Sequence, residues 1–379
     1  MTKYAPLLKQ LNRTIHQAVL SQLGFQNKTL NRYLQNEWSS EYGLAGSFIA
    51  DPVVEATFSY EPCGKSLRDL TKEFLEPSLL KALSQPPKQY QDEYTFPKDL
   101  IPYQHQYESW QLLSEKAARS ILVSSGTGSG KTECFLIPIL NDLARQVANE
   151  PKRLEGVQAL FLYPLNALIA SQEDRLSAWS RSFEGNIRYC LYNGATPQTP
   201  PLLAEIKSRP EHVQSRAELR DAPPPILVTN PTMLEYMLVR KDDQPILEAS
   251  QGKLKYIVLD EAHTYVGSNA AEVAILLRRV MKSFGVSPGD VRFVATSATI
   301  GSNDAETQAK LRRFLADLAS VEESQVSVIT GHRKVDAVAN SELEVRSLRD
   351  FFAAAENFST DRWGFFCKDR AAISLRNYL

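Results

Sequence analysis

The sequence predicts an α/β fold in which helices cover both faces of a mostly parallel sheet, with a mainly helical region before it. Short apolar runs without polar alternation recur between residues 103 and 301, as expected of strands that are buried on both faces: ILVSS, QALFLYP, ILVTN, KYIVLD and VRFVATS. Between these runs, apolar side chains recur at helical spacing, as in the stripe formed by Val273, Leu276, Leu277 and Val280.

Residues 1–95 carry helical patterns of a different kind. A stripe with three- and four-residue spacing runs from Leu8 to Leu23, and Gly24 follows where a left-handed helix cap would lie. A second helix is predicted from Ser66, where SLRD resembles a capping box. These residues name no chemistry, so we predict an accessory domain over 1–95.

A proline-rich connector separates this region from the rest. The segment SQPPKQYQDEYTFPKDLIP contains four prolines, which disfavour helix, and we place a domain boundary there. The α/β domain is predicted over 96–320, and SQVSVITG is predicted to be a further strand. Residues 321–379 are interpreted as the start of a linker or insertion. The chain ends at Leu379 without a turn or cap, so we expect it to be a fragment.

The composition excludes several classes of protein. The 379 residues include 43 Lys and Arg against 44 Asp and Glu, so no global basic field is present and any contact with nucleic acid must be local. The four cysteines form no C-x-x-C pair, which argues against a disulfide framework or a zinc site and favours a reducing cytoplasm. No apolar run reaches the roughly 18 residues that a membrane span needs.

The strongest motif is a phosphate-binding loop that follows a predicted strand and precedes a predicted helix. Its glycines let successive N–H groups point at phosphate oxygens, Lys131 would reach the terminal phosphates, and the Thr132 hydroxyl would bind Mg²⁺. The motif comprises Ser125, Gly126, Thr127, Gly128, Ser129, Gly130, Lys131 and Thr132. We therefore predict a nucleotide site here.

Two carboxylates follow the predicted strand YIVL, in the tetrapeptide DEAH. Asp260 is predicted to hold the Mg²⁺ shell, and Glu261 to orient and deprotonate an attacking water. Further along, VATSAT supplies Ser297 and Thr299. The S-A-T tripeptide is a weak signal alone and becomes informative because it follows DEAH.

The order SGTGSGKT, DEAH, SAT resembles the first RecA-like lobe of superfamily-two DEAH-type helicases. The linking segments are similar to the MrfA/YprA and Lhr group, and still more to the large helicase subunits of phage-defence systems: LYPLNALIASQ, LYNGATP, ILVTNPTMLEYMLVR, DEAHTYVGSNAAEVAILLRR and VATSATIG. The resemblance is dense from about Phe96 to Gly301. It implies a RecA-like P-loop domain, ATP and Mg²⁺ as cofactors, and an ATP-dependent helicase or translocase acting on DNA, single-stranded or with a single-stranded tail, in phage defence or DNA repair.

The same resemblance assigns further roles. Gln106 would read the adenine, with the ring of Phe96 or Tyr103 near the base, and His263 would couple the nucleotide site to Ser297 and Thr299. The residues assigned to the DNA backbone are Pro164, Asn166, Gln172, Asn193, Thr229 and Asn230. Without the resemblance, the residues assigned to the DNA backbone are better interpreted as strand-end turns. Gln106 is then equally well interpreted as a solvated side chain, and a structural role is the alternative for His263.

Superfamily-two motors close two RecA-like lobes around ATP, and the second lobe supplies arginine fingers. Only 78 residues (379 minus 301) follow Gly301, against roughly 150 for a domain, and the arginines at 278, 279, 312 and 313 are interpreted as helix surface charges. We therefore expect the second lobe downstream or in another chain, with weak hydrolysis by this chain alone. A defence-system partner and a second copy of the chain are both open. The alternative function is a nucleotide-dependent DNA-binding switch or scaffold that recruits partners without unwinding.

Overall fold

The computed structural model describes residues 5–24, 27–38, 59–126, 128–265, 267–298 and 305–334. Thr127, Thr299 and most of the segment interpreted as a linker, from residue 335 onward, lie outside the described residues. The chain divides into two compact units, Met1–Phe58 and Ser59–Leu379. Each unit is considered by itself.

The described residues of the smaller unit form two helices, α1 (Ala5–Leu23) and α2 (Lys28–Trp38). The predicted N-terminal helix is confirmed. Gly24 adopts a left-handed backbone with φ +62° directly after α1, which glycine accommodates without a Cβ penalty.

The larger unit is built on one parallel sheet. Its eight described strands lie in the order β4-β3-β5-β2-β6-β7-β1-β8, and every described pairing is parallel. The strands are β1 (Ser120–Ser124), β2 (Ala159–Leu162), β3 (Tyr189–Tyr192), β4 (His212–Val213), β5 (Ile226–Thr229), β6 (Tyr256–Leu259), β7 (Arg292–Ser297) and β8 (Val326–Thr330).

Helices cover both faces of the sheet, as predicted. They are α3 (Leu67–Leu70), α4 (Pro77–Ser84), α5 (Gln91–Tyr94), α6 (Gln104–Ser114), α7 (Lys131–Asn149), α8 (Asn166–Ser171), α9 (Glu173–Ser180), α10 (Leu203–Ser208), α11 (Arg216–Asp221), α12 (Pro231–Val239), α13 (Gln244–Ala249), α14 (Ser268–Ser283) and α15 (Ala305–Ala319). None of the helices described is long and apolar enough to serve as a transmembrane span.

Two apolar cores form, one on each face, because successive side chains of a strand point to opposite sides. In β1, Ile121 and Val123 join the core beneath α4, α6, α7 and α9, whereas Leu122 joins the core beneath α12, α14 and α15. Burial on both faces explains why these strands have apolar runs without alternation.

The six strands predicted from apolar runs all form, and the structure adds two more. Strand β4 has only two residues, which is too short for a recognisable pattern, and β3, YCLY, lacks the aliphatic run of the other four-residue strands. Strand β8 pairs with β1, so the sheet continues past residue 320, the predicted end of the α/β domain.

Residues 59–95 belong to the larger unit, although their helical patterns group them with the accessory region. The capping box at Ser66 is confirmed, but the helix it begins, α3, has a single turn. Leu67 and Leu79 are fully buried in the core that also holds α7, and Asn141 of α7 donates to the carbonyl of Phe74 at 2.9 Å. The functional division at residue 95 stays a prediction.

Candidate nucleotide site and strand groove

The predicted site residues converge on one edge of the sheet. Parallel strands present their carboxyl ends at a common edge, and ligands of open α/β sheets bind there. The phosphate loop follows β1, Pro164 and Asn166 follow β2, and Asn193 follows β3. Thr229 ends β5 and Asn230 follows it, Asp260 and Glu261 follow β6, and Ser297 ends β7. Strands β6, β7 and β1 are neighbours, so the acidic pair and the loop lie one strand apart.

The phosphate loop has the backbone that its glycines predict. Gly128 and Gly130 adopt left-handed conformations with φ of +71° and +73°, and α7 begins immediately after, at Lys131. The Lys131 Nζ donates to the carbonyl oxygens of Ser125 and Gly126, at 3.0 and 3.3 Å. These bonds hold the ammonium inside the loop, beside the helix N-terminus that favours anions.

Two side chains of helix α6 contact carbonyl groups of the phosphate loop. The Gln106 Nε2 donates to the carbonyl of Gly130 at 3.2 Å, while its Oε1 accepts from the N–H of Tyr103. His105 Nε2 lies 2.8 Å from the carbonyl of Ser129, and burial lowers the pKa of this imidazole. Gln106 thus lies at the predicted site and both its polar atoms bond to protein; its role in reading adenine stays a prediction. The sequence analysis does not identify His105.

Asp260 and Glu261 are held by Thr296, a residue that the sequence analysis does not identify. The hydroxyl of Thr296, in β7, donates to Asp260 Oδ1, and the Thr296 oxygen accepts from the N–H of Glu261 at 3.2 Å. Burial raises the pKa of Asp260, and the bond from Thr296 opposes that shift. Glu261 has φ +51°, a conformation that is rare for residues other than glycine and that recurs at functional sites.

His263 and the S-A-T segment connect only in part. His263 Nδ1 lies 3.2 Å from Glu261 Oε2, so the histidine contacts the predicted base. The carbonyl of Ser297 accepts from the N–H of Ser125 at 3.3 Å, which links β7 directly to the phosphate loop. Coupling of His263 to Ser297 and Thr299 stays a prediction, because Thr299 lies outside the described residues.

The residues present fit a magnesium ion bound together with phosphates. Mg²⁺ takes oxygen ligands and is usually held by one or two protein groups plus substrate phosphates. The Thr132 hydroxyl and the Asp260 carboxylate supply such oxygens, and a cation would offset the cost of burying the Asp260 charge. Within the described ranges, no group of three or more His, Cys, Asp or Glu side chains could hold a metal ion.

A groove of about 600 Å³ lies further along the same edge, and its lining includes Pro164, Asn166 and Asn230. The Asn230 Nδ2 donates to Asn166 Oδ1 at 2.8 Å, and Asn230 Oδ1 accepts from the N–H of Met233, which caps α12. One pair of amides therefore joins the segment after β2 to the segment after β5. The residues that line the groove are uncharged: Pro164, Leu165, Asn166, Gly194, Asn230, Pro231, Thr232, Met233, Tyr236, Tyr265 and Asn269.

The other residues assigned to DNA, Asn193, Thr229 and Gln172, are not among the residues that line the groove. Thr229 has no exposed surface, and its hydroxyl donates to the carbonyl of Tyr192 at 2.6 Å. Asn193 forms the turn that its residue type predicts, with Oδ1 accepting from the N–H of Ala195. Gln172 is 9% exposed and accepts a hydrogen bond from Arg175. Their contacts with DNA stay predictions.

Two curated relatives are similar to this chain over different lengths. The Druantia protein DruE of Escherichia coli (strain UMEA 4076-1) is 27% identical over 437 residues, covering 86% of this chain and 23% of DruE. The ATP-dependent helicase YprA of Bacillus subtilis (strain 168) is 30% identical over 200 residues, covering 53% of this chain and 23% of YprA. The resemblance to the YprA group and to DruE-type helicases is confirmed. The chain spans about a quarter of the length of these relatives.

A solved structure has a similar fold. Mss116p, solved with single-stranded RNA and AMP-PNP, matches with a TM-score of 0.50 at 16% identity, covering 73% of this chain and 47% of Mss116p. At that identity the likeness concerns the fold alone, which is RecA-like. The family model for DEAD/DEAH box helicases matches residues 103–307, from the residue before α6 to the start of α15. This chain belongs to the DEAD/DEAH box helicase family.

Proposed function

We propose that this chain is the ATP-binding motor lobe of an ATP-dependent DNA helicase or translocase. One observation carries the proposal: the phosphate loop, the acidic pair and an amide-lined groove occupy the same edge of one sheet. The same sheet would therefore hold both the residues that bind the nucleotide and those that bind the DNA strand. Similarity to helicases over more than half of the chain supports the same conclusion.

The nucleotide site would work through groups of known position. Lys131, held at the mouth of the loop, would bind the terminal phosphates, and successive N–H groups of the loop would bind their oxygens. Thr132 and Asp260 would hold Mg²⁺, which when bound neutralises charge on the phosphates. Glu261 would accept the proton of the attacking water, with its backbone fixed by Thr296.

The groove suits the backbone of a single strand. Amide side chains and helix N-termini bind phosphate and sugar without reading sequence, and Asn230 lies at the N-terminus of α12 beside Asn166. The choice of DNA rests on the resemblance of the linking segments to DNA-directed helicases. A role in phage defence or in DNA repair is a further proposal, supported by the similarity to the Druantia protein.

Turnover would need a second lobe. Since the chain spans 23% of DruE and of YprA, we propose that arginine fingers come from a second RecA-like lobe downstream or in another chain. Arginine fingers contribute roughly 10³ or more to turnover, so this chain alone should hydrolyse ATP slowly.

The test is ATP hydrolysis and strand displacement by this chain and by a longer natural product that contains it, with single-stranded DNA, tailed duplex DNA and RNA as separate arms. DNA-stimulated hydrolysis with release of a strand supports the proposal. Stimulated hydrolysis without strand release favours the nucleotide-dependent scaffold, stimulation by RNA alone refutes the choice of DNA, and no nucleotide-dependent activity in either protein refutes the motor.

A further inference from the structure

An ion pair connects α7, the helix of the phosphate loop, to α9. Glu133, two residues after Lys131, is 8% exposed in the first turn of α7. Its Oε1 lies 3.4 Å from Nε of Arg175, on α9, and both side chains are largely shielded from solvent. Charges that are removed from solvent interact more strongly than surface pairs.

Arg175 also binds the junction between α8 and α9. Its Nη1 donates to Gln172 Oε1 at 3.2 Å, while the N–H of Gln172 donates to the carbonyl of Ile169 and so closes the end of α8. The guanidinium thus forms an ion pair with Glu133 through Nε, which has no hydrogen-bond partner among the described residues, and a hydrogen bond with the end of α8 through Nη1. A planar guanidinium with several donors can serve two partners at once, whereas an ammonium has no such fork.

The other end of α8 reaches the groove. Helix α8 has six residues and begins at Asn166, whose Oδ1 accepts from Asn230 at 2.8 Å. A shift of Glu133 would therefore reach Asn166 through one ion pair, one hydrogen bond and one short helix. The Tyr163 hydroxyl, which is buried with no hydrogen-bond partner among the described residues, lies within electrostatic reach of Glu133, Arg175 and Asp260.

We infer that Arg175 is a positioning residue which couples occupancy of the nucleotide site to the grip of the groove on a DNA strand. The inference rests on the proposed function and deepens it. Occupancy of the phosphate loop would move the first turn of α7, Glu133 would carry Arg175 with it, and the α8 N-terminus would shift at Asn166. Linkage requires the effect to be reciprocal, so a bound strand would change nucleotide affinity by the same factor.

The test needs binding alone, so it does not depend on turnover. Fluorescence anisotropy of a labelled oligo-dT measures the Kd for DNA with and without saturating AMP-PNP and Mg²⁺, and the ratio of the two values is the coupling factor. We expect roughly fivefold coupling or more in the unchanged chain, the lower end of common allosteric effects. Arg175→Ala should bring the ratio close to one while the nucleotide Kd without DNA changes less than about twofold.

Two further variants separate coupling from folding. Glu133→Gln removes the charge and keeps the shape, so it should also abolish coupling, and the double variant should lose no more than either single variant. Arg175→Lys keeps the charge but not the fork, so partial coupling is expected. The control is Arg313→Ala, which removes an exposed pair with Asp317 on α15 and should leave coupling unchanged.

The outcomes divide cleanly. Full coupling in Arg175→Ala and in Glu133→Gln overturns the inference, as does a wild-type ratio of one when both ligands bind. Loss of nucleotide binding by Arg175→Ala in a chain that still unfolds at the wild-type temperature also overturns it, because the residue would then belong to the nucleotide site. A wild-type chain that binds neither ligand refutes the proposed function itself.

Discussion

The candidate nucleotide site and the groove beside Asn166 and Asn230 lie on the same edge of the sheet but are built in different ways. The nucleotide site consists of backbone bends and buried bonds, with Gly128 and Gly130 in left-handed conformations and the acidic pair fixed by Thr296. The groove is open, uncharged and held by one amide pair, Asn166 and Asn230. This difference fits the proposed function. ATP hydrolysis needs side chains held in fixed positions, whereas a DNA strand that is repeatedly bound and released needs weak contacts.

The largest expected effect is on turnover. Glu261→Gln keeps the shape of the side chain and removes the base, so nucleotide binding should persist while kcat falls about 10²- to 10⁴-fold. Stopped assays with a protein that contains both lobes measure kcat, and titration with AMP-PNP measures binding. Glu248→Gln, on α13, is the matched control. Normal hydrolysis by Glu261→Gln would show that another group is the base.

The conformation of the phosphate loop should be destabilised by one added methyl group. At Gly130 a Cβ would collide with Gln106 Nε2 and lie 3.0 Å from Glu133 Oε2, in a backbone with φ +73°. Gly130→Ala should lower the free energy of unfolding by about 2 kcal/mol or more, since the left-handed conformation alone costs about 1–2 kcal/mol and the Gln106 bond is lost as well.

Gly252 provides the matched control for that change. It has φ +70°, and a Cβ at this position would have no neighbouring atom within 4 Å, so Gly252→Ala carries only the backbone cost of about 1 kcal/mol. Urea unfolding measures both variants. Equal losses would mean that packing of Gln106 against the loop contributes nothing to stability.

The bond from Thr296 predicts a pH effect. Burial raises the pKa of Asp260 and the Thr296 hydroxyl lowers it, so Thr296→Val should raise that pKa further. Protonated Asp260 cannot bind Mg²⁺, so affinity for Mg²⁺ and AMP-PNP should begin to weaken at a higher pH in Thr296→Val than in the unchanged chain. Calorimetric titration from pH 8 to pH 5.5 measures the change.

The same substitution at the end of another strand is the control for that experiment. Thr330 ends β8, not β7, the strand that contacts Asp260 and Glu261. Thr330→Val should therefore leave the pH profile of binding as it is. A profile that Thr296→Val also leaves unchanged would show that Asp260 does not depend on this hydroxyl.

The groove should give the smallest effect. Asn166→Ala removes one amide of the pair, so affinity for oligo-dT should fall about three- to tenfold, the loss of roughly one hydrogen bond, while nucleotide affinity is unchanged. Because the lining residues are uncharged, the ratio of the Kd values of Asn166→Ala and the unchanged chain for oligo-dT should be the same at low and high salt. Anisotropy at two salt concentrations measures it, with the exposed Asn149→Ala as control. No change in affinity would remove the groove from the DNA path.

The same contrast decides what the sequence can predict. The phosphate loop is predictable in full because its glycine spacing, its strand and its helix all lie within one short stretch. Asp260 and Glu261 are recognisable because they end an apolar run. Thr296 cannot be identified from the sequence, although it directly precedes Ser297. Only the register of β6 against β7 brings its side chain to Asp260.

Other features depend on contacts that the sequence does not display. His105 bonds to a carbonyl 24 residues away, and Arg175 joins two helices that are separated by the whole of β2. Strand β4 consists of two residues that pair with β3, and no periodic pattern in the sequence predicts this pairing. The groove residues are identified only through resemblance, since asparagines at strand ends are ordinary turn residues.

The most direct test of the account is a titration of this chain with AMP-PNP and Mg²⁺, alongside Lys131→Ala and a control, Lys116→Ala, in the exposed segment that precedes β1 at the opposite edge of the sheet. We expect one nucleotide per chain, dependence on Mg²⁺, and at least a hundredfold loss of nucleotide affinity in Lys131→Ala alone, about 2.7 kcal/mol of binding free energy. Equal affinity in the unchanged chain and in Lys131→Ala would contradict it.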